Sequence, residues 1–399
     1  MNQYETQEIR ERFLGCGFKE AAGGEKADVY LINTCTVTHR ADSDSLSFIR
    51  KAKKENKKAK IIVTGCLAEL DTGKIKEACQ ECLIVKNKDK NKILKRRRKG
   101  ISYFKGHTRA FLKVQDGCNN FCAYCKVPLV RGVSRSKPLR EVIREAEELA
   151  KNGFKEIVLT GICLGAYGKD LRPKASLINV IEGIEKIEGI LRIRLSSIEA
   201  GDVSLELISK IGKSQKLCRH LHIPIQSGDD HILKKMNRSY DRNTYLTLVK
   251  SLKKRIPGIA ITTDCLVGFP GEGEINFRNT LDLVKKILPL KVHIFPYSRR
   301  EGTAAVNLKD EVSPDIIKER ISRLKNAAKQ CSYDYRKQFL NSDMDVLMES
   351  ASRAPGNSWE GHTDNYIKVL VKSSLDLNNK LIAARLKKIC DDFCQADFS

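Results

Sequence analysis

From residue 111 to 298 the sequence repeats one pattern six times: an apolar, strand-like run followed by a helix-like one. The strand-like runs are FLKVQDGC, EIVLTGICLG, RIRLSSIE, HLHIPIQSG, IAITTDCLVGFPG and KVHIFPYS. Helical periodicity fills the gaps, as in REVIREAEELAKNG and INFRNTLDLVKKIL. Such alternation requires a parallel sheet with helices packed on it. Six steps are too few to close an eight-fold barrel, so an open or partial (β/α)6 barrel is expected. Each run ends in polar or Gly-rich residues, and the C-terminal ends of strands are where such folds carry their chemistry. Those ends supply Gly161, Ser197, Glu199, Gln226 and Gly268.

The segment before this region alternates too. YETQEIRERFLGCGF and DSDSLSFIRKAKKEN read as helices, ADVYLINT and KIIVTG as strands, and DTGKIKEACQ with CLIVKN repeats the pair. A second, smaller parallel α/β sheet is expected over 1–85, with Cys35 and Cys66 just past two strand ends. Residues 86–108 read as a basic linker; its first part, KNKDKNKILKRRRKG, holds nine Lys or Arg. Ser313-Pro314 has the pattern of an N-cap followed by Pro at the first helical position. Past residue 341, DVLMES, NYIKVLVK and KLIAARLKKI alternate in strand fashion, which predicts a small β-barrel over 341–399.

Lys and Arg outnumber Asp and Glu by 73 to 49, a net charge of +24. A polyanion partner follows most simply, nucleic acid before an anionic membrane surface. No apolar run reaches the length of a membrane span and the start is polar, so a cytoplasmic location is expected. Fourteen cysteines, mostly scattered, do not form a disulfide framework.

Three of them are not scattered. Cys118, Cys122 and Cys125 follow C-x3-C-x2-C. Structural zinc sites take four protein ligands, and no fourth is near. A cubane iron–sulfur cluster held by three thiolates keeps one iron open for a substrate. By spacing alone, zinc and a purely structural cluster remain the alternatives.

C-x3-C-x2-C at the first strand end of a six-step βα region, with Tyr124 before the last cysteine, resembles the radical S-adenosylmethionine enzymes. NTCTVT, TGC, GCNNFCAYC, PLVRGVSRS, SSIEA, LHIPIQSG, VGFPGE, FPYS and GHTDNYIKV, in this order, resemble the methylthiotransferases within them. That resemblance implies an N-terminal methylthiotransferase domain, a radical domain over 109–340 and a C-terminal TRAM-like RNA-binding barrel. It implies a [4Fe-4S] cluster on Cys118, Cys122 and Cys125 that binds S-adenosylmethionine. Gly161, Ser197, Glu199, Gln226 and Gly268 would serve the cofactor. A second [4Fe-4S] cluster in the N-terminal domain would use Cys35 and Cys66.

The motifs are most like the branch acting on N6-threonylcarbamoyladenosine beside the tRNA anticodon. Isopentenyladenosine tRNA and a ribosomal protein are the other known targets. Arg131, Arg135, Trp359, Tyr366 and Lys368 are the RNA-contact candidates. The partners implied are a tRNA anticodon stem-loop, an electron donor and a sulfur source. The second cluster of the family uses a third cysteine, expected just ahead of the QYET stretch. Without it the chain would be a tRNA-binding iron–sulfur protein unable to insert sulfur; an upstream start is the favoured expectation.

Overall fold

The structure is a computed structural model. It describes residues 1–22, 24–36, 38–94, 100–104, 106–352 and 357–398. Residues 95–99 and 105 of the expected basic linker, and residues 353–356, lie outside the described residues. The chain forms two compact units. The first comprises residues 1–103, 116–135 and 298–306, and the second residues 104–115, 136–297 and 307–399.

In the first unit a three-stranded parallel sheet is built from β1 (Val29–Thr34), β2 (Lys60–Gly65) and the short β3 (Leu83–Ile84), in that order. Helices α1 (Asn2–Gly15), α2 (His39–Glu55), α3 (Cys66–Leu70) and α4 (Thr72–Ala78) accompany it. α2 begins where the Thr38 side chain accepts the Ala41 N–H at 3.2 Å, which satisfies one of the helix's orphan donors. Its stripe of Ile49 and Ala52 packs with Ile61 and Val63 of β2 and with Leu67 and Ile75. Each such aliphatic side chain removed from water contributes roughly 1.5–3 kcal/mol. β1 is an edge strand and stays half-exposed, whereas β2 is buried from Ile61 onward. The helix expected over DSDSLSFIRKAKKEN stops at Glu55; Lys57 and Lys58 lie in the turn beyond it, and Lys60 begins β2. Part of the basic run, Asn87–Lys92, forms a 3-10 helix.

The second unit holds the six expected strands: β4 (Arg109–Lys113), β5 (Glu156–Thr160), β6 (Arg192–Leu195), β7 (His220–His222), β8 (Ala260–Val267) and β9 (Lys291–Pro296). All pair in parallel, as β4–β5–β6 and β7–β8–β9. Single bridges, Ile193 with Leu217 and Ser197 with His222, join the two halves. Among the described residues no pairing closes β9 onto β4, so the sheet is a partial barrel. Every expected helix between the strands is present, and an unexpected short one, Asp230–Lys235, follows Gln226.

Ser313 caps the long helix Pro314–Lys337, its hydroxyl accepting from Ile316 N–H. Five further strands then close a barrel: β10 (Asp343–Ala351), β11 (Ser358–Thr363), β12 (Lys368–Lys372), β13 (Leu381–Ile389) and β14 (Cys394–Phe398), in the order β10–β11–β12–β14–β13. β11 and β14 were not read from the sequence. Val346, Met348, Ile367, Val369, Leu386 and Ala396 fill this barrel's core. Among the described residues no helix is long and apolar enough to cross a membrane.

Candidate functional site

The cysteine trio lies in the first unit, on a loop ahead of the short helix α5 (Val127–Arg131). Its geometry is that of a loop built around thiolates. The Asn120 and Val127 N–H groups each point at a sulfur, Cys118 Sγ and Cys125 Sγ, at 3.4 Å. The turn is closed by Cys125 N–H to Cys122 O at 2.9 Å and Cys118 N–H to Gly132 O at 3.1 Å. Gly117, at φ +72°, makes this possible: a Cβ there would lie 2.1 Å from Val133 O. All three cysteines are half-buried.

Cys35 and Cys66 belong to the same unit. Thr34 and Gly65 are register partners in β1 and β2, so the two cysteines follow adjacent strand ends. Burial pushes the Cys66 thiol up; the Arg131 guanidinium pulls it back, and the neighbouring Cys35 raises it further. Cys16, just past the end of α1, is exposed.

A cavity of about 490 Å³ lies in the same unit, and its lining includes no cysteine itself but residues next to them. Thr36, Leu67 and Lys126, the residues immediately after Cys35, Cys66 and Cys125, all line it. Arg300 forms part of its wall. This buried guanidinium donates to Thr36 O at 2.8 Å, Thr36 Oγ1 at 2.7 Å and Asp42 Oδ2 at 2.7 Å. Burial, then the charge of Arg300, lowers the Lys126 pKa. Arg300 and Asp42 were not singled out from the sequence. Arg300 stands two residues past the FPYS motif, the one signal that was available.

The cofactor candidates fall in the second unit. Glu199 is ion-paired with Arg238; burial raises its pKa and Arg238 opposes the rise. Ser197 is half-buried and bridges to His222. Gln226 sits in the left-handed region at φ +60° and exchanges backbone bonds with β8, 2.8 Å to Asp264 O and 2.9 Å from Leu266 N–H. Ser227, the next residue, is buried against Thr280. The Gly161 N–H points at Ser196 Oγ at 3.4 Å. Gly268 is constrained by packing: a side chain there would meet Ile317 at 2.4 Å.

The RNA-contact candidates divide. Arg135 is exposed. Arg131 is buried in the first unit, and Glu5 at 2.7 Å, Asp116 at 3.1 Å and Asn2 at 2.8 Å take its guanidinium. A buried, paired guanidinium has nothing left for a phosphate, so the RNA expectation for Arg131 is corrected to a structural role. Tyr366 is half-buried and packs among other side chains of the second unit. His220 and His362 lie against its ring, with centroids 4.5 and 4.9 Å away. Arg109 and Arg194 stand 5.4 and 4.7 Å from the ring centre. Trp359 packs partly buried against the barrel core, and Lys368 is paired with Glu360 at 2.9 Å, half-exposed.

Comparison with known proteins agrees with this arrangement. The Radical SAM superfamily matches residues 112–284, and the uncharacterized protein family UPF0004 matches residues 1–86. The chain is 37% identical to the threonylcarbamoyladenosine tRNA methylthiotransferase MtaB of Bacillus subtilis, over 97% of this chain and 92% of that protein. It is 33% identical to the tRNA-2-methylthio-N(6)-dimethylallyladenosine synthase of Clostridium tetani, over 97% and 92%. Among solved structures, the radical S-adenosylmethionine methyltransferase TsrM of Kitasatospora setae shares the fold, with TM-score 0.53 at 13% identity, covering 83% of this chain and 81% of that one. Relatives at this identity across nearly the whole length establish the family: the chain belongs to the radical S-adenosylmethionine tRNA methylthiotransferases.

Proposed function

We propose that the chain adds a methylthio group to C2 of N6-threonylcarbamoyladenosine beside the anticodon of tRNA. The observation that carries this reading is the cavity in the first unit, whose wall contains the residue after Cys35, after Cys66 and after Cys125. Sulfur insertion requires a sulfur-holding group and a radical-generating group within reach of one substrate atom. One shared cavity beside both cysteine sets meets that need.

Members of this family carry a radical [4Fe-4S] cluster, a second [4Fe-4S] cluster in the N-terminal domain, and S-adenosylmethionine. Cys118, Cys122 and Cys125 would hold the first; their three thiols and the N–H groups aimed at Cys118 and Cys125 suit thiolate ligation. Cys35 and Cys66 would hold the second. When bound, the radical cluster supplies the electron that splits S-adenosylmethionine, giving a radical able to activate an inert C–H bond. Ser197 and Glu199 would hydrogen-bond the cofactor, with Arg238 holding the Glu199 side chain in place.

The choice of threonylcarbamoyladenosine over isopentenyladenosine is supported by the 35–37% identity to relatives named for the first against 33–34% to those named for the second. The +24 charge supports a tRNA partner and, with it, a cytoplasmic location. An electron donor and a sulfur source complete the turnover.

The test uses the anaerobically reconstituted chain with S-adenosylmethionine, reductant, sulfide and tRNA bearing either hypermodified adenosine. Nucleosides are read by mass spectrometry. Methylthiolated threonylcarbamoyladenosine is expected, with product abolished by Cys122→Ala. Product on isopentenyladenosine tRNA alone, or none on either, would overturn the reading.

A further inference from the structure

Three side chains in the second unit have no part in the chemistry above. His222 ends β7, Asp264 lies in β8 and His293 in β9, one on each of three adjacent parallel strands. The register sets Thr262 beside His222 and Asp264 beside His293. Because side chains alternate faces with a period of two, all three project from the same face of the sheet. One ligand-capable atom from each lies within 4.8 Å of the other two. Each residue is half-buried, so the group is enclosed but reachable from solvent.

We propose that His222, Asp264 and His293 form a binding site for one divalent first-row transition-metal ion. Two imidazoles and one carboxylate on three elements are the donor set of a three-protein-ligand metal site, with further positions open to water or to an oxygen or nitrogen of a bound molecule. The spacing agrees. His222 Nε2 stands 3.2 Å from Asp264 Oδ2, and two ligands of one ion with bonds of roughly 2.0–2.2 Å lie about 3 Å apart.

The outer contacts agree as well. A ligating imidazole is normally fixed by a hydrogen bond at its other nitrogen. His222 Nδ1 has that bond, 2.9 Å to Thr262 Oγ1. The same hydroxyl lies 2.9 Å from His220 Nε2. With the hydroxyl proton given to His220, its oxygen accepts from His222 Nδ1–H, and the Nε2 lone pair faces Asp264.

Manganese(II) is the probe, because it prefers carboxylate and imidazole to the chain's many thiolates. The anaerobically reconstituted full chain is titrated with Mn2+, free ion being read by its electron paramagnetic resonance signal. One saturable equivalent is expected, with nitrogen modulation from two imidazoles in the pulsed spectrum. His293→Gln and Asp264→Asn should each weaken binding at least tenfold while iron content and circular dichroism stay unchanged. Should either variant lose its iron or fold, His222→Gln replaces it, and the imidazole modulation of the wild-type chain decides on its own. No saturable uptake, no imidazole modulation, or wild-type binding in folded variants would overturn the proposal.

Discussion

Arg131 Nη1 donates to Glu5 Oε1 over 2.7 Å, joining residues 126 positions apart. Both are buried, and the guanidinium also reaches Asp116 and Asn2. The pair fastens the helix after the cysteine trio to the first helix of the chain. Deleting Arg131 leaves the buried Glu5 with Lys90 as its remaining counter-ion, so the loss is at most the roughly 3–5 kcal/mol of a fully broken buried pair. Arg131→Ala is therefore expected to lower unfolding free energy by up to that amount, measured by denaturant titration. It should leave the salt slope of tRNA binding unchanged. A phosphate contact would instead reduce the slope by about one.

Gly117 and Gly132 separate two kinds of glycine requirement on one loop. Both have positive φ, +72° and +71°. A Cβ at Gly132 meets nothing within 4 Å, whereas at Gly117 it strikes Val133 O at 2.1 Å. Gly132→Ala carries only backbone strain of roughly 1–2 kcal/mol, and iron per chain after reconstitution should be unchanged. Gly117→Ala must displace backbone beside Cys118, and about half the iron or more should be lost. Equal iron in the two variants would refute the distinction.

Element order was readable wherever one period dominated. The six strands between residues 109 and 296 are apolar runs whose ends carry Gly or Ser, and Ser313-Pro314 announced its helix. β11 escaped because SWEGHT has few apolar residues and owes its place to pairing with β10 and β12. The cysteine trio was legible because its spacing is local. The wall made by Arg300 and Asp42 was not, since it depends on contacts 258 positions apart. Arg131 misled because burial is a tertiary property, and an arginine in a polar motif reads the same whether it faces solvent or another side chain.

Acid should loosen the second unit through His220. Burial, reinforced by Arg194 and His222, lowers its pKa well below the usual value. In the unfolded chain the imidazole takes a proton near pH 6.5. The folded pKa is the lower one, so the unfolded state binds more protons between the two values. Stability is complete above about pH 7 and falls as pH drops below 6.5, by up to about 1.4 kcal/mol per pH unit. His362, whose pKa burial also lowers, acts in the same direction. Trp359, the single tryptophan, reports this unit by fluorescence. Urea midpoints should fall between pH 7.5 and 5.5, and His220→Gln should flatten the fall. A variant with the wild-type slope would remove His220 from the account.

Tyr366 gives the sharpest test of whether the C-terminal barrel stacks bases with its own core ring. The ring lies among His220, His362, Arg109 and Arg194, and these are tied in turn to Glu156 and Glu349. Removing it leaves a void lined by cations that have lost their π face. Tyr366→Ala should cost roughly 3–5 kcal/mol, as other aromatic truncations in cores do, seen as a lower urea midpoint of Trp359 fluorescence. Where the variant is still folded, its tRNA affinity should change less than about threefold. A stacking base would contribute roughly 1–3 kcal/mol, so a tenfold or greater loss of affinity at unchanged stability would place Tyr366 on the RNA surface.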